Sequence, residues 1–233
     1  MAAVRINIGT NSERVPAGFD IDAKIFRVSL KVSIDITRIQ RISRHALPKD
    51  TVQLARWLLG KVLVRTSARR TLVGRIVETE AYLVGDPACH GFRGVTPRNG
   101  SLFLERGHAY VYLCYGTSYL LNVSSESQGI GAGVLIRAVE PLYGHSHMRR
   151  GRRVKDSDLA RGPGRLAAAF DVDLRHDGLD LFAGKELWIG ADDHQCDSIG
   201  RSVRIGLTQA ADRPLRFYIR GNGFLSGTRA LNR

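Results

Sequence analysis

The chain has 233 residues, 43% of them hydrophobic, with 35 Lys plus Arg against 22 Asp plus Glu, a formal charge of +13 and a sequence pI near 10.3. That length suits one domain, or one domain with an arm, and the apolar content is enough for a sizeable core. No stretch approaches the roughly 18 uninterrupted apolar residues of a spanning helix, and Cys89, Cys114 and Cys196 are too few and too scattered for a disulfide framework or a paired zinc knuckle. The expectation is therefore a soluble intracellular protein, away from membranes, in a reducing compartment and without a secretory leader. Its positive field suits a polyanion, although composition alone fits an ordinary basic protein equally well.

Residues 1–45 alternate short apolar pieces with charges, and Ile25, Val28, Leu30 and Val32 favour a strand. No chemistry is legible there, and the segment reads as an N-terminal arm or extension ahead of a folded body at residues 46–233. Asp50 can cap a short helix carrying Leu54, Leu58 and Leu59, which Gly60 can end. "KVLVR" and "TLVGRIVETEAYL" are β-branched and alternating, and the basic turn "TSARR" between them predicts a hairpin. Further strands are predicted at 109–115, 119–125, 132–140, 186–190, 202–207 and 215–219. Helical pattern is scarce, the strict alternation of a doubly wound sheet is missing, and no internal repeat stands out. The expected fold is a single α+β domain around a curved, mostly antiparallel sheet.

Two loops carry unusual chemistry. "VGDPACHGFRGVTPRNGS" is long for a connector in a compact domain, which favours a functional role. In "YGHSHMRRGRRVKDSDLARGPGRLAAAF", Arg149, Arg150, Arg152, Arg153 and Lys155 cluster ahead of Asp156. Arg161 and Arg165 flank a Gly-Pro-Gly that could start a helix at Arg165, an arrangement suited to phosphate. A solvated basic loop is the plainer alternative.

The acidic stretch "RIVETEAY" is the most informative. On a regular strand Ile76, Glu78, Glu80 and Tyr82 share one face, and Val77, Thr79 and Ala81 the other, so one face turns from apolar to acidic within four residues. Carboxylates at i and i+2 stand about 7 Å apart and repel unless water, a cation or a donor intervenes. They mark either a solvent-exposed rim or the wall of a pocket. "YVYLCYGTSYLLN" adds Tyr110, Tyr112, Tyr115 and Tyr119, with Asn122 on an apolar run; such rings can be structural or can stack on a nucleobase. Arg137 interrupts the apolar strand "GVLIRAVEPL": either it needs an acceptor, which a glutamate of the acidic strand would supply, or it is a surface arginine on a half-exposed strand.

Taken in order, "LARWLLGKVLVR", "GRIVETEAY", "TPRN", "YVYLCYG" followed by "LLNVSS", "GVLIRAVEPL", "RGPGRL" and "PLRFYIRG" resemble the alkyladenine (3-methyladenine) DNA glycosylases, from about residue 50 to 223. The resemblance implies a fold similar to the C-terminal domain of methionyl-tRNA formyltransferase, and activity as a monomer on double-stranded DNA containing a damaged purine, with no cofactor or metal. It places activation of the attacking water on Glu80, with Arg137 supporting that water and carboxylate. Tyr82, His90 and Tyr112 would enclose the flipped base, Tyr115 would wedge into the gap it leaves, and Asn122 would crowd the exocyclic amine of guanine. Arg149, Arg150, Arg152, Arg153, Arg161 and Arg165 would meet the DNA backbone. Thr117 and Ser118 stand where relatives usually carry a bulky pair, and Leu120 where a cysteine is common, so the wedge surface is expected to be smaller.

A carboxylate beside C1′ both stabilises the positive charge that develops as the base departs and takes a proton from water. His90 is expected to be a neutral wall rather than a proton donor, and Glu78 a structural or electrostatic support. No lysine falls at a matched pocket position, so the implied reaction is simple hydrolysis that leaves an abasic site in an unbroken strand. Two rivals stand beside this expectation. A non-catalytic nucleic-acid binder of the same fold has no use for a carboxylate facing a polyanion, and a hydrolase of free nucleosides has no use for the basic loop.

Overall fold

The computed structural model describes residues 35–196 and 198–233. These belong to one compact unit, Ser33–Arg233, and the strand expected around Ile25–Val32 lies outside the described residues. Among the described residues the fold is α+β, with short helices packed on one antiparallel sheet that is not closed. Gln40–Arg41 (β1), which the sequence assigns to the extension, pair with a strand far along the chain at 187–191. Next, Thr51–Trp57 forms α1, capped by the Asp50 carboxylate, which accepts from the Gln53 N–H at 2.8 Å. Its buried Leu54 and Ala55 face the sheet, and Gly60, at φ +82°, turns the chain into the first hairpin.

That hairpin is Val62–Ser67 (β2) and Arg70–Tyr82 (β3), in register from Val62 opposite Arg75 to Ser67 opposite Arg70. Ala109–Cys114 (β4) and Ser118–Ser124 (β5) form a second hairpin, followed by Gly133–Tyr143 (β6). His145–Arg149 (α2) and Pro163–Ala169 (α3) come next, then Leu187–Ala191 (β7), Ile199–Ser202 (β8) and Arg216–Ile219 (β9). The path runs β1-β7-β2-β3-β6-β5-β4, with β9 joined to β3 and β8 to β9. β3 is the hub: β2 borders its first half, β9 its second, and β6 runs along its other edge.

Three expectations shift. The strand expected at 202–207 lies earlier, at Ile199–Ser202, because Val203–Leu207 leaves the ladder to cross the end of β3, tied there by Arg204 and Ile205. The helix expected from Arg165 begins at Pro163, whose fixed φ and missing N–H suit a first helical position. The third shift concerns β3 itself. Its register with β6 passes from Ile76 opposite Val139 to Glu78 opposite Ala138 and then Thr79 opposite Ile136, leaving Val77 and Arg137 without a partner in the register. Such a bulge moves the side-chain alternation by one position. Ile76 therefore joins Ala81 in the main core, and the Thr79 hydroxyl on that same side donates to the Ala55 carbonyl at 2.8 Å, while Glu78, Glu80 and Tyr82 face the other way. The apparent turn from apolar to acidic on one face is a change of face.

Candidate active site

The bulge aims four buried charges at one another. Glu78, Glu80 and Arg216 are fully buried and Arg137 is 7% exposed, so the assembly is two carboxylates against two guanidiniums. Burial of this kind is tolerable only with the charges paired and hydrogen-bonded. Arg137 stands between the carboxylates, donating from Nε to Glu78 Oε1 at 3.0 Å and from Nη1 to Glu80 Oε2 at 3.2 Å. It is the intervening donor that two carboxylates at this spacing require, and their negative charges raise its pKa further against the opposing effect of burial.

The two glutamates differ in what else they hold. Glu78 Oε1 also accepts from Arg216 Nε (2.7 Å) and the Ser226 hydroxyl (2.7 Å), and Oε2 from the Ser226 N–H (2.6 Å). Burial pushes its pKa up, but the Arg216 charge, its hydrogen bond and the Arg137 charge outweigh that and hold the carboxyl below its ordinary range. Glu80 Oε2 accepts from the Tyr82 hydroxyl at 2.9 Å, and Oε1 from the Ile205 N–H at 2.8 Å. A carboxylate has about four acceptor positions. Glu78 accepts four hydrogen bonds, three on Oε1 and one on Oε2, and Glu80 accepts three, two on Oε2 and one on Oε1.

The three groups that hold Glu80, namely Tyr82, Arg137 and Ile205, line a cleft whose wall also includes Arg98, Tyr115 and Leu135. A smaller cavity shares Tyr82, His90 and Tyr112 with that cleft and adds Tyr110 and Asn122. The rings stack around it: Tyr110 and Tyr112 lie 5.3 Å apart at 27°, and His90 meets Tyr112 edge-on at 4.5 Å. His90 Nδ1 is hydrogen-bonded to the Tyr110 hydroxyl at 2.7 Å, and burial together with the Arg98 charge lowers the pKa of the imidazole. Burial first, and for Tyr82 also the Glu80 charge, raises the pKa values of Tyr82, Tyr110 and Tyr112, so all three hydroxyls keep their protons. Asn122, nearly buried on β5, is anchored by Nδ2 to the Tyr110 carbonyl at 3.1 Å.

Tyr115 sits at the tip of the β4–β5 hairpin, 92% exposed and at φ +49°. A large aromatic side chain held in the left-handed region at about 1–3 kcal/mol of strain is characteristic of functional positions. The hairpin leans on α3, where a Cβ on Gly164 would meet Ser118 Cβ at 2.9 Å, so the small pair Ser118 and Gly164 permits the close approach.

The basic segment is only partly free. Arg150 and Arg153 are exposed, and Arg149 pairs with Asp156. Arg161 and Arg165 each approach Asp158 Oδ1 to 3.5 Å, and Arg161 Nε donates to the Leu225 carbonyl at 2.6 Å. Arg152 turns inward, donating to the Met148 carbonyl at 3.0 Å and the Arg165 carbonyl at 3.2 Å.

Sequence reasoning missed Arg216, Arg204, Asp86, Ile205 and Ser226. Arg216 and Arg204 carried a usable signal, since each interrupts an apolar run as Arg137 does, in "PLRFYI" and "SVRIGL". Arg204 forms a fully buried pair with Asp86, donates to the Ala81 carbonyl at 3.0 Å, and places its guanidinium 4.7 Å from the Tyr82 ring centroid. It thereby clamps the loop that presents Ile205 to Glu80.

The buried carboxylate–guanidinium pair, the aromatic cavity and the exposed ring on a strained tip thus gather around one cleft. The family profile described as methylpurine-DNA glycosylase (MPG) matches residues 45–223, and the chain belongs to that family. Three bacterial or archaeal relatives each carry the name "Putative 3-methyladenine DNA glycosylase". The protein of Mesorhizobium japonicum is 61% identical over 82% of this chain and 92% of its own length, and that of Paraburkholderia phytofirmans 50% identical over 81% and 89%. The protein of Methanoculleus marisnigri is 42% identical over 76% and 94%. Among the described residues, no helix is long and apolar enough to cross a membrane.

Proposed function

We propose that this protein removes damaged purines from double-stranded DNA by hydrolysing the N-glycosidic bond of a base flipped into the aromatic cavity. The observation that carries the proposal is the placement of Glu80: its three donors, Tyr82, Arg137 and Ile205, all line the cleft and its Oε1 accepts a single hydrogen bond, whereas of the donors to Glu78 Arg137 alone lines that cleft. A water bound there gives its proton to Glu80 as it attacks C1′, and the same carboxylate offsets the positive charge that grows on the sugar as the base leaves. Arg137 orients the carboxylate through Nη1. The four residues Tyr82, His90, Tyr112 and Asn122 share one cavity, which suits a flat base held by stacking. Tyr115 fills the gap in the duplex, and the charge of +13 with the exposed Arg150 and Arg153 draws in the backbone.

Among the described residues no lysine lines the cavity or the cleft, which supports hydrolysis without a Schiff base and release of DNA with an abasic site in an unbroken strand. Alkylated purines already carry positive charge and leave readily, and extrusion costs least for damaged or mispaired bases, so these define the substrate class. The test is single-turnover incubation with duplexes containing hypoxanthine, ethenoadenine or 7-methylguanine. The expected result is a free base and a strand that breaks only after alkali. Tight, salt-sensitive binding without release of any of these bases would favour a non-catalytic DNA binder of the same fold.

A further inference from the structure

Residues 224–233 lie beyond the stretch that the family profile matches, yet they close around the buried charges of the site. We propose that Ser226, near the head of this segment, is a positioning residue that holds the Arg137 guanidinium so that Nη1 faces Glu80. The inference rests on Glu80 being the catalytic base.

The argument follows the single proton of the Ser226 hydroxyl. That proton goes to Glu78 Oε1 at 2.7 Å, so toward Arg137 the oxygen can only accept, from Nε at 3.4 Å and Nη2 at 3.3 Å. Nε and Nη2 form one edge of the guanidinium. Holding that edge leaves Nη1 directed at Glu80 Oε2. Without the hydroxyl, Arg137 is free to turn the same edge onto Glu78 as a bidentate pair, the stronger geometry, and Nη1 swings away from Glu80.

The rest of the segment keeps Ser226 in place. Arg216 donates from Nη2 to the Ser226 carbonyl (3.1 Å) and to Asn232 Oδ1 (2.6 Å), and from Nη1 to the Leu231 carbonyl (3.0 Å). Asn232 Nδ2 donates back to the Ser226 carbonyl at 3.1 Å. Arg216 also supplies the second positive charge that Glu78 would otherwise draw from Arg137.

The experiment compares the unmodified protein with Ser226→Ala, Ser226→Thr, Asn232→Ala and Glu80→Gln, recording single-turnover base release, affinity for the lesion duplex and melting temperature. Ser226→Ala should release base about tenfold more slowly, the scale of one hydrogen bond to a charged group, with affinity unchanged. Ser226→Thr, which keeps the hydroxyl, should recover most of the rate. If Ser226→Ala melts early, Asn232→Ala carries the test and should slow release in the same way with affinity kept. Unmodified rates in both Ser226→Ala and Asn232→Ala, with Glu80→Gln inactive, would overturn the inference alone. Full activity in Glu80→Gln would overturn the reading of the base and this inference with it.

Discussion

Glu78 and Glu80 stand two residues apart on one strand, face the same way and are both fully buried, yet the surroundings of each differ in kind. Around Glu78 the protein has closed: two arginines, a hydroxyl and a backbone N–H donate to it, and the C-terminal segment covers it. Glu80 has one donor fewer, and all three of its donors line a cleft. The difference teaches that burial alone does not separate a structural carboxylate from a reactive one. The cleft beside its donors does, because a carboxylate enclosed on every side by its own support has no place to meet a water.

The contrast can be broken most forcefully at the enclosed end. Glu78→Gln leaves Arg216 buried against a neutral amide and should lower folding stability by about 3–5 kcal/mol, read by denaturant unfolding. Because the folded-state pKa of Glu78 lies below its ordinary value of 4.5, its contribution is complete above that value and is lost as pH falls through the lowered one. Melting curves of the unmodified protein should therefore fall across that acid range, and those of Glu78→Gln should fall less. At the site end, Tyr115→Ala should leave the melting temperature in place, since the ring is 92% exposed, and should weaken binding to the lesion duplex by about 1–3 kcal/mol, the worth of one stacking contact. The smallest effect sharpens the picture of the cavity wall. Removing the Arg98 charge in Arg98→Ala should move the His90 titration upward, followed by NMR of the ring protons, with burial still holding it below the ordinary 6.5.

Most of the sheet was legible in the sequence because its strands are runs of β-branched and aromatic residues bounded by turns, and the first hairpin falls where "TSARR" puts it. The family resemblance named residues that the fold does gather, Tyr82, His90, Tyr112 and Asn122 around one cavity and Arg137 against Glu80. What escaped is non-local or irregular. A bulge at Val77 leaves no mark on a period-two pattern, so Ile76 was assigned to the wrong face. Ser226 reaches Glu78 across 148 positions of chain, and nothing about an isolated serine in "FLSGTR" signals that contact. Arg216 was readable by the rule that found Arg137, since an arginine amid buried apolar residues requires a carboxylate.

The most direct test sets Glu80→Gln beside Glu78→Gln in single-turnover base release from a lesion-containing duplex, with DNA affinity and unfolding free energy recorded for both. The account predicts that Glu80→Gln binds DNA and loses less stability than Glu78→Gln, while its release of base falls by roughly 10²-fold or more. A Glu80→Gln protein that releases base at the unmodified rate, or a stable Glu78→Gln protein that alone is inactive, would contradict the division of labour between the two carboxylates.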